Sequence, residues 1–431
     1  MKRRGFLKGL IALFVPISIQ GCSNAKNFLS IDEYRDDVIN NDYTLAFKNA
    51  LSHLKKCGGG KLYLPSAKYV LNKDFEFGLF SEFENIEIFG DGDASEIVIV
   101  NSSLSFGGVQ NFKLSNLKFT RDQNEVDTYR KKHQINISNF QNVTISDVTF
   151  DCFGVSDGLM PVPGSTILFL YGGGKRGSVQ SSEKNIVEGD SANFRILNSR
   201  FRSGGDRTLN FGIRVYSEFI VQDQYGIKGG EISGCKFDGF NWNACEILGR
   251  NTTDIHVYRS QVYSGGLTGI EIDKGASHCS IKNCSFRDLK GNIDVHLFPN
   301  TAITGVLLQG DSVYNLKGYA NLVENVVCKL GVGAAGFENK VNGIVVSDQS
   351  RAVLSQIDIE MGSKHKYEDN WSRAICLVGS NEDIIISLSR FNGFELDLIV
   401  NDQEYDIKNS GCTVDSLVLR DVLFDEEYFC V

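Results

Sequence analysis

Gly234-Cys235-Lys236-Phe237, Arg259-Ser260-Gln261-Val262 and Asn283-Cys284-Ser285-Phe286 are three versions of one phrase: a bend residue, a small residue, any residue, then a large apolar one. The phrase recurs upstream as Asn116-Leu117-Lys118-Phe119, Asp147-Val148-Thr149-Phe150 and Asn198-Ser199-Arg200-Phe201. Downstream it reads Asp311-Ser312-Val313-Tyr314 and Asp421-Val422-Leu423-Phe424. The tightest intervals, 234 to 259 to 283 to 311, are 25, 24 and 28 residues. A period of that length marks a stacked-repeat architecture.

The local pattern decides which one. Runs such as Ile255-His-Val-Tyr and Ile281-Lys-Asn-Cys alternate with period two and are broken by Gly, Asn and Asp, so the repeats are built of strands, not helices. Three short strands per turn of ~24 residues make a parallel β-helix, each turn ~4.8 Å above the last. In the phrase, Asn or Asp tolerates the bend, the small residue enters a narrow interior and the Phe fills the wider core. The file Ser199, Cys235, Ser260, Cys284, Ser312 is then inward. We expect an all-β solenoid of about ten coils, with Leu117, Val148, Phe150, Phe201, Phe237, Phe286, Ile247, Ile272 and Val295 in its core.

The first residues bound the compartment. Met1-Lys-Arg-Arg-Gly-Phe-Leu-Lys and the apolar run Gly9 to Ile19 have the charged and hydrophobic parts of an export signal, and the run is too short to span a bilayer. Arg3-Arg4-x-Phe6-Leu7-Lys8 resembles the twin-arginine export motif. Ile19-Gln20-Gly21-Cys22 resembles a bacterial lipoprotein cleavage box, with Cys22 as the lipidated residue. The expected division is a signal at 1–21, a tether at 22–40 and one solenoid domain at 41–431, placing the mature chain in the periplasm or cell envelope. The formal charge is −9; losing residues 1–21 removes four cations and no acid, leaving −13. Such a chain repels nucleic acid. The ten cysteines after Cys22 show no zinc spacing, and most are expected as buried free thiols, with Cys235 and Cys245, or Cys279 and Cys284, the pairs to test.

The stretch 42–56 carries Leu45, Ala46, Asn49, Ala50, His53 and Leu54 along one side of a helix, with Asp42 or Thr44 as N-cap, and is the expected lid on the open solenoid end. The order Thr44-Leu-Ala-Phe-Lys-Asn-Ala-Leu, Gly58-Gly-Gly-Lys-Leu-Tyr-Leu-Pro65, Lys68-Tyr-Val-Leu71 resembles the opening of the pectate-lyase-like superfamily. The resemblance implies a capping helix followed by a right-handed parallel β-helix, with action on polysaccharides as lyase, glycoside hydrolase, epimerase or depolymerase. The hydrolase branch's Asn-Thr-Asp, Gly-His-Gly and Arg-Ile-Lys blocks are absent and its Asp-Asp occurs only as Asp36-Asp37, ahead of the repeats, so no catalytic residue transfers by resemblance.

The site is instead read from register. Ten or eleven residues past the small repeat position lie Asn210, Glu246, Glu271 and Asp294, expected as one outward column; two residues further, Gly212, Leu248, Asp273 and His296 form a second. Stacked like charges raise a carboxyl's pKa and oppose folding, which marks Glu246, Glu271, Asp294, Asp273 and His296 as the candidate catalytic set. Asn210, Arg214, Trp242, Arg250 and Lys274 are candidate substrate contacts, with Phe240 beside Trp242 as a possible sugar platform. Carboxylates about 5 Å apart suit retaining glycoside hydrolysis, and roughly 6.5 to 9.5 Å suits inversion. The readings left open are a polysaccharide-cleaving enzyme, a glycan-binding surface lipoprotein, and a Ca²⁺-dependent uronate lyase or epimerase.

Overall fold

The computed structural model describes residues 28–430 except 73–74, 78–82, 101–102, 122–133, 152–165, 173–189, 204–210, 218–224, 241, 264–267, 288, 290–302, 312–313, 331–340, 362–371, 393–395, 401–412, 415–416 and 421–428. All pairings between its strands are parallel, and the strands wind as a right-handed β-helix. One wall is a sheet of twelve strands, from Phe75–Phe77 to Phe429–Cys430, one per coil, where the repeat spacing suggested about ten.

The repeat phrase explains the corner between two walls. Its first residue holds a left-handed backbone in six consecutive coils: φ is 51° at Asn116, 56° at Asp147, 48° at Asn198, 67° at Gly234, 47° at Arg259 and 54° at Asn283. Asn, Asp and Gly reach this region at least cost. The second residue is small for a specific reason. Ser260 Oγ donates to the Tyr258 carbonyl at 2.9 Å and accepts from the Cys235 N–H of the preceding coil at 3.3 Å. Ser199 makes the same pair of contacts with Leu197 and Val148. The hydroxyl thus satisfies two backbone groups that the bend removes from the ladder.

The fourth residue builds the core. Phe119, Phe150, Phe201 and Phe237 stack with centroids 5.3, 4.7 and 5.2 Å apart, and register continues the file through Val262, Phe286 and Cys328. Leu117, Val148, Phe150, Phe201, Phe237, Phe286, Ile247 and Ile272 are all buried; Val295 lies outside the described residues. The phrase at 311–314 is a correction. Phe286 is followed by Cys328 in register, while Asp311 pairs with Leu316 in a turn and Tyr314 is 45 % exposed. The next true version is Asn325-Val326-Val327-Cys328, with Asn325 at φ 51°, hidden because its fourth position carries Cys in place of the large apolar residue.

The lid is an α-helix at Thr44–Lys56. Tyr43, not Asp42 or Thr44, holds the N-cap position; Asp42, one residue earlier, accepts from Thr44 N at 2.9 Å. Its buried stripe is Ala46, Phe47, Ala50, Leu51 and Leu54, with Phe47 and Leu51 facing Leu71, Ile88 and Phe119 of the first coils. Leu45, Asn49 and His53, expected inside, are exposed; the helix is rotated so that its largest apolar residue, Phe47, enters the core. Asn49 and His53 instead bond Asp37 and Tyr34 of the 3₁₀ segment Ile31–Asp37. Part of the expected tether is thus built into the first coil: Leu29–Ser30 pairs with Leu62 and Tyr63. Cys235, Cys245, Cys279 and Cys284 are buried free thiols, so neither candidate pair is bridged; Cys57 is disulfide-bonded.

Candidate functional site

The outer face of the twelve-stranded wall carries the site. In the middle coils its strands are Thr166–Gly172, Phe211–Ser217, Asn243–Leu248, Thr268–Asp273 and Ile303–Gln309. Their inward residues continue the core: Ile213, Cys245, Ile270 and Val306 form one file, Val215, Ile247, Ile272 and Leu308 another.

Alternation turns the residues between them outward, and register stacks Phe169, Arg214, Glu246, Glu271 and Leu307 in one column. Glu246 and Glu271 are direct partners on neighbouring coils, as the sequence predicts. Their other neighbours are a correction. Arg214 stands where Asn210 was expected, and Leu307 where Asp294 was. Loop length is the cause: the step from the small corner residue to the column is eleven residues from Cys235 or Ser260, but fifteen from Ser199 and twenty-three from Cys284. A fixed offset holds only while the loop keeps its length. Asn210, Asp294, His296 and Cys22 lie outside the described residues. The second column runs Tyr171, Tyr216, Leu248, Asp273, with Tyr216 in place of Gly212; Gly212 itself points at Phe237 and Phe240 in the core.

The acids are not solvated. Glu246, Glu271 and Asp273 are 6, 8 and 7 % exposed. Each has a different companion. Arg214 Nε donates to Glu246 Oε2, its guanidinium lying 4.6 Å from the Phe211 ring centroid and 5.5 Å from that of Tyr216. Asn243 Nδ2 donates to Glu271 Oε2. The Lys274 backbone N–H donates to Asp273 Oδ1, while Lys274 Nζ reaches Asp311 at 2.7 Å and Asp273 at 3.8 Å.

Burial raises the Glu246 carboxyl above its ordinary value against the pull of Arg214. Glu271 is pushed well above, by burial first and then by Glu246 and Asp273. Asp273 is pushed up to about 7, chiefly by burial, with Lys274 opposing. Burial works against the Lys274 charge, but its bond to Asp311 prevails and its pKa is raised. Between the two glutamates the charge therefore belongs on Glu246, beside a guanidinium, and the proton on Glu271, beside a neutral amide.

Beside the acids, Phe169, Tyr171, Tyr216 and Leu248 form an apolar cluster separate from the core, with the Tyr171 and Tyr216 rings stacked at 5.7 Å. Trp242 is half-buried and stacks on Phe211 at 6.2 Å. Phe240, expected as an exposed platform, is 1 % exposed in the core. Arg250 is exposed in the turn after Leu248. Among the described residues no group of three or more acids, histidines or cysteines is arranged to hold a metal ion. Asn243, Asp311 and the aromatic cluster were missed; the alternation Leu168-Phe169-Leu170-Tyr171 is the signal that finds the last.

No family model matches the sequence, and no curated protein does. Solved structures do. A tailspike protein of E. coli bacteriophage HK620 in complex with pentasaccharide aligns with a TM-score of 0.59 at 10 % identity, over 93 % of this chain and 66 % of that one. DFA-IIIase from Arthrobacter chlorophenolicus A6, in complex with DFA-III, gives 0.57 at 10 %, over 92 % and 93 %. PfbA, a surface adhesin of Streptococcus pneumoniae, gives 0.50 at 15 %, over 92 % and 91 %. At these identities the likeness is one of fold: the chain is a right-handed parallel β-helix like these proteins, and it carries the N-terminal helix that its opening sequence implies.

Proposed function

We propose that this protein is a polysaccharide-cleaving enzyme in which Glu271 is the general acid and Glu246 the nucleophile. The observation that carries the reading is the pairing of these two glutamates on adjacent coils, buried, with Arg214 on one and Asn243 on the other. Folding alone gains nothing from stacked buried carboxylates. The ~4.8 Å spacing of neighbouring strands is close to the ~5 Å carboxyl separation of retaining glycoside hydrolysis, which favours that reading.

In that chemistry Glu271 gives its proton to the glycosidic oxygen as the C1–O bond breaks, and a Glu246 oxygen bonds C1. Glu271, now ionised, takes a proton from water, whose oxygen displaces Glu246. Arg214 keeps Glu246 ionised and aimed. Asp273 and Lys274 set the field around the proton on Glu271. A pentasaccharide bound to a protein of the same fold supports a glycan as partner. The test is a panel of polysaccharides incubated with the purified protein, with and without a chelator, reading new reducing ends and unsaturated products. New reducing ends without unsaturation are expected. Unsaturated products would replace this reading with a lyase, and binding without cleavage would replace it with a glycan-binding surface protein.

We also propose, from Arg3-Arg4 and Cys22, that the chain is exported and held at the cell envelope by a lipid on Cys22.

A further inference from the structure

The short strands just past the corner, Arg200–Arg202, Lys236–Asp238, Gln261–Tyr263 and Ser285–Arg287, form a wall separate from the one that carries the glutamates. Phe201, Phe237, Val262 and Phe286 are buried, so the residues on either side of each point out. Register stacks Arg200, Lys236, Gln261 and Ser285 in one outward column and Arg202, Asp238, Tyr263 and Arg287 in the next. Elsewhere on the outer surface a cation is matched with an acid on the neighbouring coil. Lys113 meets Glu87 at 2.8 Å, Arg195 meets Glu231 at 3.1 Å and Lys282 meets Glu324 at 2.9 Å.

Arg200 and Lys236 break that rule. They are direct register partners, both exposed, and neither has an ion pair among the described residues. Like charges set opposite one another on adjacent strands oppose folding. Arg287, two coils past Lys236, is also exposed and without an ion pair among the described residues. On the coil between them Arg259 supplies the cation, exposed and equally uncommitted, at the left-handed corner with φ 47° where the neighbouring coils use Gly234 and Asn283. An Arg gains nothing from that backbone. Four consecutive coils thus each present an uncommitted cation, at ~4.8 Å per coil. The acid on the strip is Asp238, opposite Arg202, which itself holds Asp151 through two bonds of 2.9 Å. In the middle of the strip the Tyr263 hydroxyl donates to Gln261 Oε1 at 2.6 Å.

From this strip we infer that the wall is a second binding surface, apart from the glutamates, that docks an acidic polysaccharide along the solenoid axis. Its carboxylate or sulfate groups meet Arg200, Lys236, Arg259 and Arg287 in turn, and its hydroxyls meet Gln261 and Tyr263. Charge complementarity selects the occupant: on a chain of formal charge −9, a run of cations left without acids of its own suits a polymer that brings anions at repeated intervals. The guanidinium fork fits a carboxylate or a tetrahedral oxyanion. The amide and phenol among the cations match a chain that also carries hydroxyls, which a lipid surface does not.

Binding tests it without any turnover, so it stands or falls apart from the glutamate pair. The affinity of the full-length mature protein is measured by gel retardation for dextran sulfate, polygalacturonate and neutral dextran, with a DNA duplex and anionic lipid vesicles as competitors. At least one of the acidic polymers should bind about tenfold or more tighter than dextran, the better of the two showing whether sulfate or carboxylate is read. Arg200→Gln with Lys236→Gln, both exposed, should lose about tenfold of that affinity with the melting temperature unchanged. Lys48→Gln with Lys56→Gln on the lid helix removes the same charge and should leave binding as it was. No preference for an acidic polymer over dextran overturns the inference, and so does an equal loss in the lid variant, which would make the effect one of net charge. Tighter binding of DNA or of vesicles than of either acidic polymer overturns it as well, by giving the strip a different occupant.

Discussion

Glu246 and Glu271 are register partners on adjacent coils, yet one carboxylate faces the Arg214 guanidinium and the other the Asn243 amide. Two chemically identical groups are thereby made different by their neighbours, one held as an anion and one as an acid.

If Arg214 is the counter-charge of Glu246, removing it strands a buried anion. Arg214→Met should cost ~3 kcal/mol or more of unfolding free energy, and Arg214→Met with Glu246→Gln should recover at least half of it. Denaturant unfolding of the two variants measures this directly. Equal losses in both would mean that Arg214 acts through its packing on Phe211 and Tyr216.

Asp273 gives the molecule a pH dependence of known sign. Its carboxyl rises from an ordinary 3.8 to about 7 on folding, so between those values the folded state holds a proton that the unfolded state has lost. Stability from this group is therefore full below pH 3.8 and falls as pH rises towards 7. Asp273→Asn removes the fall. Its melting temperature should gain on the wild type by roughly 2 °C or more between about pH 4.5 and about pH 8; a constant difference across that range would show that Asp273 is ionised in the folded protein.

The aromatic ladder makes the core sensitive to volume in both directions. Phe237→Ala should cost ~3 to 5 kcal/mol through the cavity it leaves in the stack. Gly269→Ala should also destabilise, because its Cβ would lie 2.5 Å from Phe286 Cδ1. Calorimetry showing either variant as stable as the wild type would contradict the register.

Export is separable from folding. Arg3→Lys with Arg4→Lys should hold the precursor in the cytoplasm, and Cys22→Ser should release a soluble form, since lipid supplies the membrane affinity. Fractionation decides both, and full export of the double-lysine protein would reject the twin-arginine reading.

The fold was legible because each coil repeats one constraint: a left-handed corner at Asn198, Gly234 or Asn283, a small hydrogen-bonding residue after it, and a Phe two residues later. The Glu246–Glu271 pair was legible for the same reason, since the two coils that carry it have loops of equal length. Beyond them the count failed. The step from Ser199 hid Arg214, and that from Cys284 replaced Leu307 with Asp294. Asn243 was hidden differently, lying three residues before Glu246 and bonding to the next coil, a relation across coils that alternation does not express.

The central claim is that the Glu246–Glu271 pair does the chemistry, and it is tested most directly by turnover and melting temperature of Glu246→Gln and Glu271→Gln on the glycan that the wild type degrades. Each variant should lose turnover by about two orders of magnitude or more. Glu271→Gln should keep its melting temperature or raise it, because a neutral amide replaces a buried carboxyl whose ionisation beside Glu246 is unfavourable. Near-native turnover in both variants, or loss of turnover only alongside loss of folding, would place the site elsewhere on the solenoid.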